Sequence, residues 1–129
     1  MNDKKIFMTS VAGINFRATE EDCGPILGYV ERDLTNEYDP RAVGVYRANG
    51  ELLGFVSSKD LDAFYDFKGE GFDKMVYTGN IKCAQRGGKK FFIGNIAIIR
   101  SEDEEELSEI ANRYLFDDDF NLYGKTIQS

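Results

Sequence analysis

The chain has 129 residues, 42% of them hydrophobic, which is enough for one domain with one core and leaves no room for a second. A net charge of −7 argues against nucleic-acid binding, because such binding depends on Lys and Arg to neutralise phosphates. The excess of acidic over basic residues is confined to the C-terminal end, however. Residues 1–100 hold 14 basic and 14 acidic side chains, whereas residues 101–129 hold 2 basic and 9 acidic ones. The net charge of the whole chain therefore does not exclude nucleic-acid binding by the first hundred residues.

Alternating apolar residues predict four strands in the first half of the chain, at 6–16, 26–32, 42–46 and 52–56. The first strand has a break in phase near Gly13, which favours a bulge or bend there. Residues 18–25 are polar and predict a loop. Asn, Asp and Pro in residues 33–40 favour a turn. Asn49-Gly50 predicts a tight hairpin between the third and fourth strands.

The second half of the chain predicts two helices and two strands. Ser57 or Ser58 can cap a short helix through Phe67, with its apolar side chains on one side. Strands are predicted at 74–84 and 89–99, joined at Gly87-Gly88. Ser101 followed by Glu104 is typical of a capping box and predicts a C-terminal helix over 102–115. Its apolar stripe consists of Leu107, Ile110, Ala111 and Tyr114. The last fourteen residues give no clear pattern.

These elements predict a mainly β fold. Six strands in the order β-β-β-β-α-β-β-α are typical of a small six-stranded antiparallel barrel (OB/SH3-like) with one short internal helix and a C-terminal helix. Ten Phe and seven Tyr favour β-structure as well. Residues 1–100 are predicted to form the barrel domain. Residues 101–129 are predicted to form an acidic helix and tail that pack on it or extend from it.

Several function classes are not expected. The chain has no His for general-base work, no phosphate-cradling Gly-Lys-Ser motif and no paired carboxylates with metal-ligand spacing, so neither an enzyme nor a cofactor is predicted. Cys23 and Cys83 lack the paired spacing of a zinc site. We predict that they are free and reduced in the cytoplasm. Neither a secretory signal nor a membrane-spanning run is visible.

The polar turn between the second and third predicted strands is the segment most typical of a recognition loop. Together with its surroundings it resembles the HIRAN domain, a small β-barrel found in some fork-remodelling helicase-like ATPases and as a free-standing bacterial or phage-type protein. The matching segments are Val11-Ala12-Gly13-Ile14-Asn15-Phe16, Val30-Glu31-Arg32-Asp33, Asn36-Glu37-Tyr38-Asp39, Ala42-Val43 and Gly54-Phe55-Val56. The match covers about residues 8–67 and extends more loosely to residue 100.

The resemblance implies a non-catalytic module that recognises the free 3′-hydroxyl end of single-stranded DNA, in DNA repair or replication-fork processing. Tyr38 would stack on the terminal base and Phe16 beside it, since an aromatic face binds any base with roughly 1–3 kcal/mol. Asp39 would accept a hydrogen bond from the 3′-hydroxyl and repel a phosphate. Asn36 would hold the turn or contact the nucleotide. A DNA-processing protein is a second implied partner.

The chain departs from the family pattern in its charged groups. Arg17 stands where DNA-binding members often carry a second aromatic, so a cation for a phosphate replaces one stacking surface. Basic or imidazole groups expected after Gly54 are absent, which leaves Lys59 nearby. Phe91 or Phe92 could restore an aromatic wall. The last predicted hairpin carries a basic cluster, made of Lys82, Arg86, Lys89 and Lys90.

Each feature also has a structural interpretation. Asn36 and Asp39 could cap the turn, Tyr38 could pack over the barrel edge, and Arg32 could pair with Asp39. Phe16 could belong to the core, and the basic cluster could be a solvated hairpin tip. The acidic run 102–106 is interpreted as a solvated first helical turn, or as a cover for the basic hairpin. The alternative function is then a protein-interaction or structural barrel that has lost DNA binding.

Overall fold

The computed structural model describes residues 5–70 and 74–115, with side chains as far as residue 110. The strands are β1 (Ile6–Ala12), β2 (Gly24–Arg32), β3 (Val43–Arg47), β4 (Leu52–Val56), β5 (Lys74–Arg86) and β6 (Lys89–Ile99). The α-helices are α1 (Leu61–Lys68) and α2 (Glu104–Leu115), and short 3-10 turns lie at Ile14–Phe16, Glu20–Asp22 and Ser58–Asp60. The strands form a closed barrel in the order β1-β4-β3-β2-β5-β6, with every neighbouring pair antiparallel. The predicted six-stranded barrel is confirmed.

The core fills the barrel and is closed at one end by α1. Val43 and Val45 of β3 are almost fully buried inside it, as the alternation along a strand requires. Phe64 and Phe67 of α1 are each 1% exposed. The ring of Phe7 contacts both, with centroid distances of 5.7 and 5.3 Å. The helix therefore contributes its apolar side to the same core, as the sequence predicts.

The N-terminal strand differs from its prediction. It ends at Ala12, because Gly13 adopts a left-handed conformation with φ 75° and turns the chain out of the sheet. Residues 14–16 then form a 3-10 turn that buries Ile14 and leaves Phe16 outside. The predicted loop at 18–25 likewise contains a 3-10 turn, and β2 begins at Gly24. The predicted hairpin at Asn49-Gly50 is confirmed.

The helix starts also differ from the predictions. Ser57 precedes a 3-10 turn without a side-chain capping bond, and α1 begins only at Leu61. The predicted capping box of Ser101 and Glu104 is wrong. Asp103 caps α2 instead, because its Oδ1 accepts the N–H groups of Glu105 at 2.9 Å and Glu106 at 3.4 Å.

The C-terminal helix packs on the barrel. Leu107 and Ile110 of α2 contact a cluster that includes Ile6, Ala97 and Ile99. The remaining two residues of the predicted stripe and residues 116–129 lie outside the described side chains. The division of the chain into two segments stays a prediction. Within the described ranges, no helix has both the length and the apolar character needed to cross a membrane.

The state of the two cysteines also differs from its prediction. Cys23 and Cys83 form a disulfide, with a Cα–Cα distance of 5.9 Å, and are not the free, reduced pair that we predict from sequence. The reason is the register of β2 against β5, which pairs Gly24 with Ile81 and so brings two residues 60 positions apart together. Among the described residues, no group of His, Cys, Asp and Glu is arranged to hold a metal ion. The cytoplasmic location stays a prediction.

A charged pair fixes the segment after β1 to the β3–β4 hairpin. Arg47 donates from Nε to Asp22 Oδ1 at 3.1 Å and from Nη2 to Asp22 Oδ2 at 2.9 Å. The two side chains are only 19% and 15% exposed. Arg47 Nη2 also donates to the carbonyl of Arg17 at 3.3 Å. The hydrogen bond from Arg47 is the main reason that the pKa of Asp22 is lowered.

Asp22→Asn is expected to lower the free energy of unfolding by roughly 1–2 kcal/mol at neutral pH, because it replaces a charge-assisted hydrogen bond. The folded pKa lies below the unfolded value of 3.8, so the pair stabilises the fold above that value, and the stabilisation is lost as the pH falls through the folded pKa. Urea unfolding at pH 7 and at about pH 2 measures the difference in the free energy of unfolding between the unaltered protein and Asp22→Asn. This difference should be smaller in acid. Glu21→Gln, at an exposed neighbour, is the control. A difference that stays constant with pH would contradict this account.

Candidate nucleic-acid interface

The turn at residues 33–42, which connects β2 to β3, is held by its own short polar side chains. Asn36 Oδ1 accepts the backbone N–H groups of Tyr38 at 2.9 Å and Asp39 at 3.0 Å. Asp39 Oδ1 accepts the N–H of Arg41 at 2.9 Å. Asn and Asp commonly form such side-chain turns. The interpretation of Asn36 and Asp39 as turn caps is therefore confirmed, and the turn has a defined shape without burying its tip.

Tyr38 projects from this turn into solvent. Its side chain is 98% exposed, so the interpretation that it packs over the barrel edge is wrong. Arg32 donates from Nε to the carbonyl of Pro40 at 2.9 Å, and the Arg32–Asp39 pair considered above is not formed. In the part of the chain that the structure describes, Asp39 Oδ2 has no hydrogen-bond partner. The turn thus presents an open aromatic ring next to a carboxylate oxygen that can still accept a hydrogen bond.

The C-terminal end of the turn is fastened to α1. Tyr65 donates from its hydroxyl to the carbonyl of Arg41 at 2.8 Å. The Arg41 guanidinium lies over the Tyr65 ring, 4.9 Å from its centroid, and pairs with Asp62 at 2.8 Å. These contacts link the turn to the helix that closes the core.

A cleft of about 700 Å³ lies between the turn and α1. Its lining consists of Glu31, Arg32, Asp33, Leu34, Thr35, Tyr46, Tyr65 and Lys68. Tyr46 leans over Gly44, where a Cβ would meet the ring at 2.6–2.7 Å, and stacks on Tyr29 with centroids 5.1 Å apart. Burial, followed by the negative charges of Asp33 and Glu31, raises the pKa of Tyr46. The lining thus holds two carboxylates, Glu31 and Asp33, and two cations, Arg32 and Lys68, so its formal charges balance.

This cleft could not be predicted from the sequence. Tyr46 and Tyr65 lie in different elements, and nothing local to either residue indicates that they line the same cavity. The sequence contains one indication of the cleft, which is Gly44. A glycine two positions before an aromatic on one face of a strand leaves room for the ring to lie across it.

Phe16 and Arg17 form the second exposed group. Phe16 is 88% exposed, so the interpretation that it belongs to the core is wrong. The Arg17 guanidinium lies over the ring of Phe55 on the outer face of β4, 5.6 Å from its centroid. An aromatic ring and a cation therefore stand side by side immediately after β1.

The strand register places these two exposed groups on neighbouring parts of the barrel. Ala12, Phe55 and Gly44 lie in one row across β1, β4 and β3. At the usual strand spacing, Ala12 and Gly44 are roughly 10 Å apart. Among the described residues, no hydrogen bond, ion pair or ring contact joins Phe16 or Arg17 to the turn. The two groups flank the outer face of β4 without touching.

The remaining predicted site residues lie in two places. Lys59 is exposed on the 3-10 turn that follows β4. Phe91 is half-buried on β6, where it pairs with Ala84 far along the last hairpin. Its neighbour Phe92 donates its N–H to Asn15 Oδ1 at 2.6 Å, so this part of β6 lies beside the Phe16 segment and not beside the turn. The roles of all these residues stay predictions.

No family model and no curated protein matches the chain. Among solved structures, the chain is similar to the crystal structure of the HIRAN domain of human HLTF, with a TM-score of 0.42 and 13% sequence identity. The alignment covers 84% of this chain and 88% of that one. A TM-score of 0.42 and 13% identity assign neither a family nor a function to this chain.

Proposed function

We propose that the chain is a non-catalytic, HIRAN-like module that binds the free 3′ end of single-stranded DNA on the surface between Tyr38 and Phe16. The observation that carries this proposal is the exposure of the two rings, 98% and 88%. Burying a large apolar side chain typically stabilises a fold by ~1.5–3 kcal/mol, and neither ring contributes this. Rings held open on turns of defined shape are suited to stacking on bases.

Asp39 supplies the selectivity for an end. One of its carboxylate oxygens is fixed by the N–H of Arg41, which orients the group. The other oxygen is free to accept a hydrogen bond from a 3′-hydroxyl next to a base stacked on Tyr38. A 3′-phosphate or a continuing strand would instead bring a negative charge against the carboxylate. The site therefore favours a free hydroxyl end.

The charges around the site give the bound strand a direction. Glu31 and Asp33 line the cleft on the α1 side of the turn, where Arg32 and Lys68 offset their charge, so this side offers a phosphate no net attraction. Arg17 lies on the other side, above Phe55. We expect the phosphate that follows the terminal nucleoside to lie toward Arg17, so that the strand leaves the turn in the direction of Phe16.

The test compares oligothymidylates that end in a 3′-hydroxyl or a 3′-phosphate, by fluorescence anisotropy at low salt. A preference for the hydroxyl of about tenfold or more is expected, because a hydrogen bond to a charged group contributes ~1.5–3 kcal/mol. Asp39→Asn keeps the acceptor for Arg41 but removes the charge, and should bring the ratio of affinities close to one. Glu37→Gln, two positions away, is the matched control and should keep the preference. Equal affinities in the unaltered protein would refute end recognition.

A protein-interaction role is the second candidate, and the tyrosine-lined cleft with side chains of both charges favours it. Half-buried tyrosine rings beside side chains of both charges suit the mixed surface of a protein partner better than the uniformly negative backbone of a nucleic acid. Failure to recover single-stranded DNA in a pull-down at low salt, together with co-purification of a defined protein partner, would favour this role.

A further inference from the structure

The β5–β6 hairpin extends beyond the barrel as a two-stranded ribbon. β2 pairs with β5 only as far as Ile81, and β1 pairs with β6 only as far as Asn95. Among the described strands, residues 82–86 and 89–93 therefore pair only with each other. We call residues 82–93 the basic ribbon. Five cross-strand pairs at ~3.4 Å per residue give it a length of roughly 17 Å.

The basic ribbon has the opposite charge to the rest of the chain. It holds four basic residues and no acidic one, in a protein with a net charge of −7. Lys90 pairs with Glu20. The other three, Lys82, Arg86 and Lys89, have no carboxylate within ion-pair distance in the described part of the chain. Within the described ranges they are exposed cations without an ion-pair partner.

The two faces of the ribbon are chemically different. Residues opposite each other across the strands share a face. One face carries Cys83, Phe92 and Lys90, and it is attached to the segment after β1 by the disulfide and by the pair with Glu20. The other face carries the unpaired cations with apolar side chains between them, namely Lys82, Ile93, Ala84, Phe91, Arg86 and Lys89. Ile93 is 39% exposed. The outer face is thus a row of cations interleaved with an aromatic ring.

We infer that the outer face of the basic ribbon binds the phosphates of the nucleotides that precede the 3′-terminal one. This inference rests on the proposed function and extends its site. Cations that follow a backbone, combined with an aromatic ring for a base, form the usual surface for single-stranded nucleic acid. The ribbon adjoins Phe16, because Asn15 accepts the N–H of Phe92 at 2.6 Å. A strand that leaves the turn past Phe16 therefore reaches the ribbon.

The test removes the three unpaired cations together, as Lys82→Gln, Arg86→Gln and Lys89→Gln. Anisotropy titrations at several salt concentrations use 3′-hydroxyl oligothymidylates of about 3 and about 15 nucleotides. For the long one, the negative slope of log K against log salt should become shallower by about 2, since each of the three phosphate contacts contributes roughly 0.7 to its magnitude. The short one should bind as before. Lys5→Gln with Lys74→Gln, at the other end of the strands, is the control and should leave the slope unchanged.

The outcomes separate this inference from the proposed function. If the triple variant binds the long oligonucleotide with unchanged affinity and slope, the ribbon inference is overturned. A preference for the 3′-hydroxyl that is retained in this variant would still support end recognition. Ribbon-dependent binding of a long 3′-phosphate oligonucleotide, without any hydroxyl preference, would support the ribbon and refute end recognition. Binding to phosphatidylglycerol vesicles, with no binding to either oligonucleotide, would overturn both. The altered side chains are exposed, so an unchanged melting temperature confirms that the variant is folded.

Discussion

Replacing Tyr38 by alanine is expected to weaken the binding of single-stranded DNA by about 5- to 150-fold, which corresponds to the loss of one stacked base at ~1–3 kcal/mol. The same change should leave the free energy of unfolding within about 0.5 kcal/mol of its original value, because the side chain is 98% exposed. Anisotropy titration and urea unfolding measure the two effects on the same protein. A large loss of affinity without a loss of stability is the pattern of a binding residue.

Two control variants sharpen this prediction. Tyr38→Phe keeps the ring and should retain most of the affinity. Leu34→Ala removes another exposed apolar side chain from the same turn, one that is 81% exposed. If Leu34→Ala and Tyr38→Ala weaken binding equally, the effect comes from general apolar surface and not from stacking. If Tyr38→Ala leaves the affinity unchanged, the turn is not the site.

Removing the disulfide, as Cys23→Ser with Cys83→Ser, is expected to lower the free energy of unfolding by about 2–4 kcal/mol. The bond links residues 60 positions apart, and closing so long a loop restricts the unfolded chain strongly. For a chain of this length, the melting temperature should fall by roughly 7–15 °C. Thermal unfolding of the oxidised protein and the double variant measures the difference.

Reducing conditions provide the control for this prediction. A thiol reductant should lower the melting temperature of the unaltered protein toward that of the double variant, and should not affect the variant itself. Thiol titration of the native protein before and after denaturation shows whether the bond is present. Two titratable thiols in the protein as isolated would contradict the pairing.

The barrel could be predicted because its determinants are local. Period-two alternation marks the strands, and Asn49-Gly50 fixes one hairpin without reference to the rest of the chain. The error at the first strand has a physical cause. Apolar residues continue past Gly13 to Ile14 and Phe16, so their spacing does not reveal that a left-handed glycine turns the chain into a 3-10 turn. The position of Phe16 outside the core follows from that turn.

The turn at Asn36 to Asp39 could also be predicted, because Asn and Asp form its hydrogen bonds within a few residues. What could not be predicted depends on pairing between distant strands. The approach of Cys23 to Cys83 requires the register of β2 against β5. The attachment of the ribbon's inner face to the segment after β1 requires this register together with that of β1 against β6. Neither register can be read from alternation alone.

The most direct test of DNA-end binding is a two-dimensional amide NMR titration with a short 3′-hydroxyl oligothymidylate. We predict chemical-shift changes at Tyr38, Asp39 and Arg41 in the turn and at Phe16 and Arg17 after β1, with little change in α2. The matched 3′-phosphate oligonucleotide should produce much smaller changes in the turn at the same concentration. Shift changes that avoid residues 36–41, or that are equal for the two oligonucleotides, would contradict the account.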